Sequence, residues 1–332
     1  MNILVTGGAG YIGSHTMALL LARGHQAWAF DSLSQGHRAA LPPERLIEGD
    51  LLSPADLNRA FSARRFDAVI HFAALALVGE SVQHPERYYR NNVVGSLQLL
   101  EAMQRHEVRR VVFSSTCATY GIPESVPIHE DMPQRPINPY GNTKLVIELA
   151  LKDWARCHGW EVGILRYFNA AGASPSGMLG EDHTPESHLI PIVLQQALGQ
   201  RDAVHILGTD YPTPDGTCIR DYIHVDDLAD AHLRAVERLT PGEPLICNLG
   251  TGQGYSVREV IAAAEAVTGK PIVTRESPRR PGDPPVLVAD PRRAATVLGW
   301  RPQYNSIRSI VETAWNWHHR HPQGYRTPTE PA

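Results

Sequence analysis

The chain has 332 residues, of which 42% are hydrophobic and 20% charged, and its formal net charge is −4. That balance excludes a disordered chain and offers no basic field for nucleic acid, so small-molecule chemistry remains. The length predicts a cofactor domain and a second, smaller substrate domain. The first predicted strand begins at Asn2, which leaves no room for a signal or transit peptide. No apolar run approaches the roughly 18 residues of a membrane span, so a cytoplasmic protein without a membrane partner is expected. Cys117, Cys157, Cys218 and Cys247 have neither C-x-x-C spacing nor clustered His partners. Reduced thiols are expected, with no disulfide framework and no metal site.

Asn2–Thr6 is a short apolar, β-branched run, followed at once by Gly7-Gly8-Ala9-Gly10-Tyr11-Ile12-Gly13 and a helical stretch over residues 14–23. In a strand, glycine turn and helix of this kind, Gly7 permits the sharp turn and Gly10 lets backbone approach a pyrophosphate. Gly13 lets helix and strand pack closely. The spacing is G-x-x-G-x-x-G, and glycines also simply make turns, so its place between strand and helix carries the weight. A second strand over 26–30 ends in Asp31, where a carboxylate can accept both ribose hydroxyls of an adenosine and repels a 2′-phosphate. No Arg or Lys follows before Arg38, which favours NAD over NADP; the alternative is an ordinary strand-end Asp. Further strands are predicted over 45–48, 68–72 and 111–115. Their alternation with helices predicts an α/β fold built on a doubly wound parallel sheet of Rossmann type, with ligands at the carboxyl ends of the strands. Asp50, Leu51, Phe72 and Ala73 then fall beside the cofactor cleft. Asn91 can bond either the cofactor or a strand-end carbonyl.

Asn138-Pro139-Tyr140-Gly141-Asn142-Thr143-Lys144 predicts a helix start, with Asn138 as cap and Pro139 in the first turn. Tyr140 and Lys144 are four residues apart and share a face. Taking a hydride from a secondary alcohol requires its hydroxyl proton to leave, and a phenol of pKa about 10 is a poor base near neutrality. A nearby cation favours the phenolate, so Lys144 together with the positive nicotinamide of NAD+ is expected to lower the Tyr140 pKa, and Lys144 can also hold the nicotinamide ribose hydroxyls. Y-x-x-x-K alone arises by chance on many helices; behind a cofactor fingerprint it becomes a catalytic pair. Thr116, at the end of a strand, is the candidate third member, with Ser115 as its competitor; a hydroxyl there can also simply satisfy backbone.

Gly7-x-x-Gly10-x-x-Gly13, the Ser114-Ser115-Thr116 strand end and Tyr140-x-x-x-Lys144 resemble the extended short-chain dehydrogenase/reductase superfamily. Arg166-Tyr167-Phe168-Asn169, the segment 208–225 containing D-Y-P-T-P-D-G-T, and His321-Pro322-Gln323-Gly324-Tyr325 narrow the resemblance to the UDP-galactose 4-epimerase family, nearly end to end. The resemblance implies an NAD-dependent isomerase that interconverts UDP-galactose and UDP-glucose by transient oxidation at C4, and a homodimer, for which the predicted helix over 88–104 is a candidate face. It adds Tyr11, Ile12, Ser32, Leu33, Ser34, Gln35, Gly36, Ala74, Leu75 and Phe168 to the cofactor contacts. For substrate it implies Asn169, Arg220 and Arg280 on the diphosphate, and Leu189, His205, Ile206 and Leu207 around uridine. Asp283 would hold a ribose hydroxyl, and Thr116 and Tyr140 the hexose. His188, implied as a further substrate contact, stands where some members have Asn, and Ala76 where some have Lys. Leu287 aligns with a gate that is bulky in members restricted to simple hexoses, so UDP-GlcNAc and UDP-GalNAc are the alternative substrates.

The rival chemistry of a nucleotide-sugar 4,6-dehydratase needs acidic residues directly after the Thr, and here Cys117 and Ala118 follow. A non-catalytic NAD-sensing module would have no need of Tyr140 and Lys144. Residues 1–168, with return segments near 220–255, are expected to form the NAD-binding domain, and 169–332 mainly the UDP-sugar domain. Thr251-Gly252-Gln253-Gly254 is expected to be structural or substrate-facing.

Overall fold

The computed structural model describes residues 1–280 and 282–326; residue 281, in the predicted 278–285 loop, and 327–332, at the end of the predicted second domain, lie outside them. Six strands of the first half are β1 (Asn2–Thr6), β2 (Gln26–Asp31), β3 (Leu46–Glu48), β4 (Ala68–His71), β5 (Arg110–Thr116) and β6 (Glu161–Tyr167). They are followed by β7 (Asn169–Ala171), β8 (Val204–Leu207), β9 (Ile219–Arg220), β10 (Tyr222–His224) and β11 (Leu245–Leu249). A seven-stranded sheet runs in the order β11-β6-β5-β4-β1-β2-β3, and every pairing in it is parallel. The strands read as continuous apolar runs because both faces are covered. One face packs on the helices Tyr11–Ala22 and Val225–Arg238, the other on Pro54–Ala63, Gly95–Arg105 and Pro139–His158.

The order reverses about β1, so the crevice between β1 and β4 opens at the carboxyl ends of the strands, where such folds bind ligands. β11 joins the sheet from far along the chain, pairing Leu245–Leu249 with Gly163 to Tyr167 of β6. A second apolar core, around Ile190, Val193, Ile206, Val260 and Ile310, gathers the helices Leu189–Ala197, Val257–Thr268 and Ile307–Arg320.

Several boundaries move for local reasons. The first helix starts at Tyr11 rather than residue 14, because Gly10 is the N-cap and the glycines hide the start of the apolar periodicity. The helix predicted from residue 231 begins at Val225, where the His224 ring accepts from the Asp226 N–H. Histidine is outside the usual Ser, Thr, Asp and Asn capping set, so the cap is masked, although Asp226 and Asp227 give the first turn the acidic character that favours a helix start. The predicted 88–104 helix is interrupted by a π-helical segment, Tyr89–Val94, between Pro85–Tyr88 and Gly95–Arg105. Such segments gather at functional sites, and this one carries Asn91 and Asn92.

Candidate active site

A cavity of ≈ 680 Å³ runs along the carboxyl ends of the strands. It is within the size range of small-molecule sites, about 300–1,000 Å³. At one end lie Gly7, Gly10, Tyr11, Ile12 and Gly13. Gly10 offers no side chain to cap the Tyr11–Ala22 helix, and the first turn holds no acidic residue. The N–H groups of that turn therefore face the cavity with the positive end of the helix behind them. A Cβ on Gly13 would stand 2.1 Å from the Gly7 carbonyl oxygen, and one on Gly7 2.6 Å from the Ala73 nitrogen, so neither position accepts a side chain. An anionic diphosphate fits this end.

Asp31 ends β2 on the same cavity. Its carboxylate accepts from the N–H groups of Ala9 (3.0 Å) and Leu33 (2.8 Å), and burial raises its pKa. Ser32, Ser34, Gln35, Gly36, Asp50, Leu51, Phe72, Ala73, Ala74, Leu75, Asn91 and Phe168 also line the cavity. Leu33 does not; its φ of 58° turns the side chain to pack against the core. Next to Asn91, the buried Asn92 bridges the Leu75 backbone in both directions and reaches the Thr143 hydroxyl at 3.1 Å. It ties the strand-end loop to the Pro139–His158 helix.

Midway along the cavity stand Thr116, Tyr140 and Lys144. The Asn138 side chain accepts from the Gly141 N–H at 2.8 Å, fixing the helix start as predicted. Lys144 is 2% exposed, and its Nζ donates to the Ser114 carbonyl at 2.8 Å and lies 5.9 Å from the Tyr140 ring centroid. Burial pushes its pKa down to about 7, while the Glu148 carboxylate one turn on pulls it upward. Burial raises the Tyr140 phenol well above its ordinary value, and a hydrogen bond with Thr116 opposes the rise. The expected lowering of the phenol is therefore not a property of the protein alone: desolvation dominates, and the ammonium is held on backbone instead of on the phenol oxygen.

The competition between Ser115 and Thr116 is settled by direction. Ser115 is 1% exposed and its hydroxyl donates to Glu148, on the far side of the strand. Thr116 lines the cavity, while also accepting from the Ala118 N–H at 3.1 Å.

At the other end are Asn169, His188, Leu189, His205, Leu207, Arg220, Arg280, Asp283 and Leu287. Arg220 pairs with Asp283, and the cavity thus holds a buried guanidinium beside the exposed Arg280. Ile206 is 1% exposed and belongs to the second core, because alternation along β8 sends His205 and Leu207 to the cavity and Ile206 away from it. The Thr251 and Gly252 N–H groups both donate to the buried Asp221, so that glycine loop is structural. The sequence reading missed Ser114, Tyr167 and His183 in the lining. Ser114 and Tyr167 lay within motifs already noted, and the spacing E-x-H-x-x-E-x-H over 181–188 was an unread signal.

An uncapped helix start, a strand-end carboxylate and a Tyr/Lys/Thr cluster on one cavity define a nucleotide-dependent short-chain oxidoreductase-type site. Residues 3–250 match the NAD dependent epimerase/dehydratase family, and the chain belongs to it. It is 54% identical to UDP-glucose 4-epimerase of Halalkalibacterium halodurans over 98% of each chain. Among solved structures it is similar to UDP-glucose 4-epimerase from Brucella ovis in complex with NAD, with a TM-score of 0.91 and 49% identity over 95% of this chain and 97% of that one. The Bifidobacterium longum enzyme in complex with NAD+ and UDP has a TM-score of 0.93 and 40% identity over 98% of this chain and 100% of that one.

Proposed function

We propose that the protein interconverts UDP-galactose and UDP-glucose by transient oxidation at C4 of the hexose. The observation that carries this is a single cavity joining the free helix N-terminus and Asp31 to the Tyr140, Thr116 and Lys144 cluster, and that cluster to Arg220. The glycine turn, Asp31 and the strand ends would hold NAD, which would supply reversible hydride acceptance. Tyr140 takes the C4 hydroxyl proton and later gives it back. Thr116 hydrogen-bonds the phenol and shares that proton's path, which keeps the transfer within reach of both groups. Lys144, anchored on Ser114, holds its positive end beside the site where the phenolate forms.

Asn169, Arg220 and Arg280 hold the diphosphate, for which the planar guanidinium fork is suited. Leu189, His205, Leu207 and Asp283 surround the nucleoside. Firm grip on the UDP part with loose grip on the hexose lets the 4-keto ring present its other face. Uniform tight binding of the sugar would slow the reaction. Leu287, 8% exposed, closes the sugar end and favours simple hexoses over N-acetylated ones.

The NAD-binding unit is residues 1–168 with return segments near 220–255. Among the described residues no helix is long and apolar enough to cross a membrane. The four cysteines are free, which suits a reducing compartment such as the cytoplasm. Val82, Tyr89, Val94, Val146 and Leu149 are exposed on and beside the paired Pro85–Arg105 and Pro139–His158 segments, which supports a homodimer through that face.

The test is conversion of UDP-galactose to UDP-glucose by purified protein without added NAD, with UDP-GalNAc alongside. Conversion of UDP-galactose alone is expected. No conversion of either, even with NAD supplied, would refute the assignment.

A further inference from the structure

Residues 181–188 fold so that one atom from each of Glu181, His183, Glu186 and His188 lies within 4.8 Å of the others. The Glu181 and Glu186 side chains are 3% and 2% exposed. Among the described residues neither carboxylate pairs with a Lys or Arg; their charged partners are His183 and His188. Two desolvated carboxylates require two positive charges, from two imidazoliums or from one divalent cation with neutral imidazoles.

The spacing suits the second. Ligands placed tetrahedrally about a cation at about 2.0–2.2 Å stand roughly 3.3–3.6 Å from one another. His183 Nδ1 is 3.2 Å from Glu181 Oε1 and 3.7 Å from Glu186 Oε2, close to two edges of such a tetrahedron, and all four ligand atoms lie within 4.8 Å of one another. The Glu181–His188 edge is contracted into direct contact, and His188, 47% exposed, has room to open it. An outer shell is in place. Glu186 Oε1 accepts from the N–H groups of Ser187 (2.7 Å) and His188 (2.8 Å), and Oε2 is left for the cluster. The indole of Trp317 donates to the Glu181 carbonyl at 3.2 Å. Such bonds orient ligands before the cation arrives.

We propose that Glu181, His183, Glu186 and His188 bind one divalent transition-metal ion of the zinc class. Imidazole with carboxylate suits that class, and a closed set of four protein ligands marks a structural site. The segment runs directly into the Leu189–Ala197 helix, and His183, Ser187, His188 and Leu189 all line the cavity. The ion therefore fixes one wall of the substrate end. The His188 imidazole, expected from the sequence to meet substrate, is thereby assigned to the cation. This site stands independently of which sugar the enzyme turns over.

Purified full-length protein is dialysed against EDTA, returned to metal-free buffer, and titrated separately with Zn2+ and Co2+. The expected result is one Zn2+ per chain and the intense visible absorption of four-coordinate Co2+, displaced by Zn2+. The melting temperature should rise with free Zn2+, since only the folded chain presents the site. His183→Gln with Glu186→Gln should abolish the Co2+ band and the melting shift. His319→Gln with His321→Gln, on and just after the last helix, should keep both. Absence of stoichiometric Zn2+ on the parent protein, a weak six-coordinate Co2+ spectrum, or a band that survives in the 183/186 variant would each overturn the site. Should that variant not fold, the parent protein's stoichiometry and spectrum decide alone.

Discussion

Replacing Arg166 by Met should cost about 3–5 kcal/mol of stability at pH 7, the usual penalty for stranding one member of a buried ion pair. Glu148 and Arg166 are 0% and 2% exposed, and they meet through bonds of 2.9 Å (Nε to Oε1) and 2.7 Å (Nη2 to Oε2). Without Arg166, Glu148 keeps the Ser115 hydroxyl, the Gln134 amide at 3.0 Å and the partly exposed Lys152 at 3.8 Å, too little to replace a guanidinium. The loss is a large share of a typical folding free energy of about 5–15 kcal/mol. Its pH dependence identifies the cause. Burial raises the Glu148 pKa, but Arg166 more than offsets this and holds it below the ordinary value. The pair's contribution is thus present above the unfolded-state pKa of about 4.5 and is lost as pH falls through the folded value. In the variant burial outweighs the remaining Ser115 and Gln134 hydrogen bonds, the pKa rises, and protonation of Glu148 removes the penalty as pH falls. Urea unfolding at pH 7 and pH 4, followed by tryptophan fluorescence, should show the gap between parent and variant shrinking at the lower pH. Glu148→Leu combined with Arg166→Met should recover much of the loss, since apolar replacement of both partners avoids the stranded charge. A cost under about 1 kcal/mol at pH 7, or an equal gap at both pH values, would refute this account.

Tyr140→Phe should lower turnover by about 10²- to 10⁴-fold, the range for losing a positioned acid–base group, with NAD content unchanged; single-turnover kinetics and the absorbance of extracted cofactor check it. Gly13→Ala should empty the protein of NAD or prevent its folding, because the new Cβ would stand 2.1 Å from the Gly7 oxygen; cofactor content and circular dichroism report which. Lys144→Met should abolish most activity yet stabilise the cofactor-free protein below pH 7. The folded Lys144 pKa of about 7 is below that of the unfolded chain, so the parent gains stability as pH rises from about 7 to 10.5, by roughly 1.4 kcal/mol per unit. The advantage of the variant should therefore decline over that window in thermal melts; an advantage that grows with pH would refute the burial argument.

The cofactor half was legible because its signals are local. The glycine turn, Asp31 after one strand and Tyr140 with Lys144 on one helical turn are all fixed by sequence spacing, and the structure brings them to one cavity. What failed was orientation at single positions. Ile206 was included with its strand, although alternation sends it to the core, and Leu33 was included with its loop, although a left-handed backbone turns it away. The choice between Ser115 and Thr116 depended on Glu148, a partner 33 positions away that no local pattern names. The Tyr140 ionisation is only half legible: adjacency on a helix predicts a charge nearby, whereas desolvation, which raises the phenol in the cofactor-free protein, depends on everything packed around it. The carboxylate and imidazole cluster at 181–188 was visible as spacing, but attention to cysteines as metal ligands passed over it.

β11 has a consequence for biosynthesis. It pairs with β6 and moves that edge of the main sheet outward to a strand that ends at Leu249, so a growing chain halted anywhere between residues 170 and 244 leaves β6 without its native partner. Such an edge is a template for pairing with other chains. The sheet is completed only after most of the second half has been made, and fragments ending near 168 should aggregate even though they contain the glycine turn, Asp31, Tyr140 and Lys144.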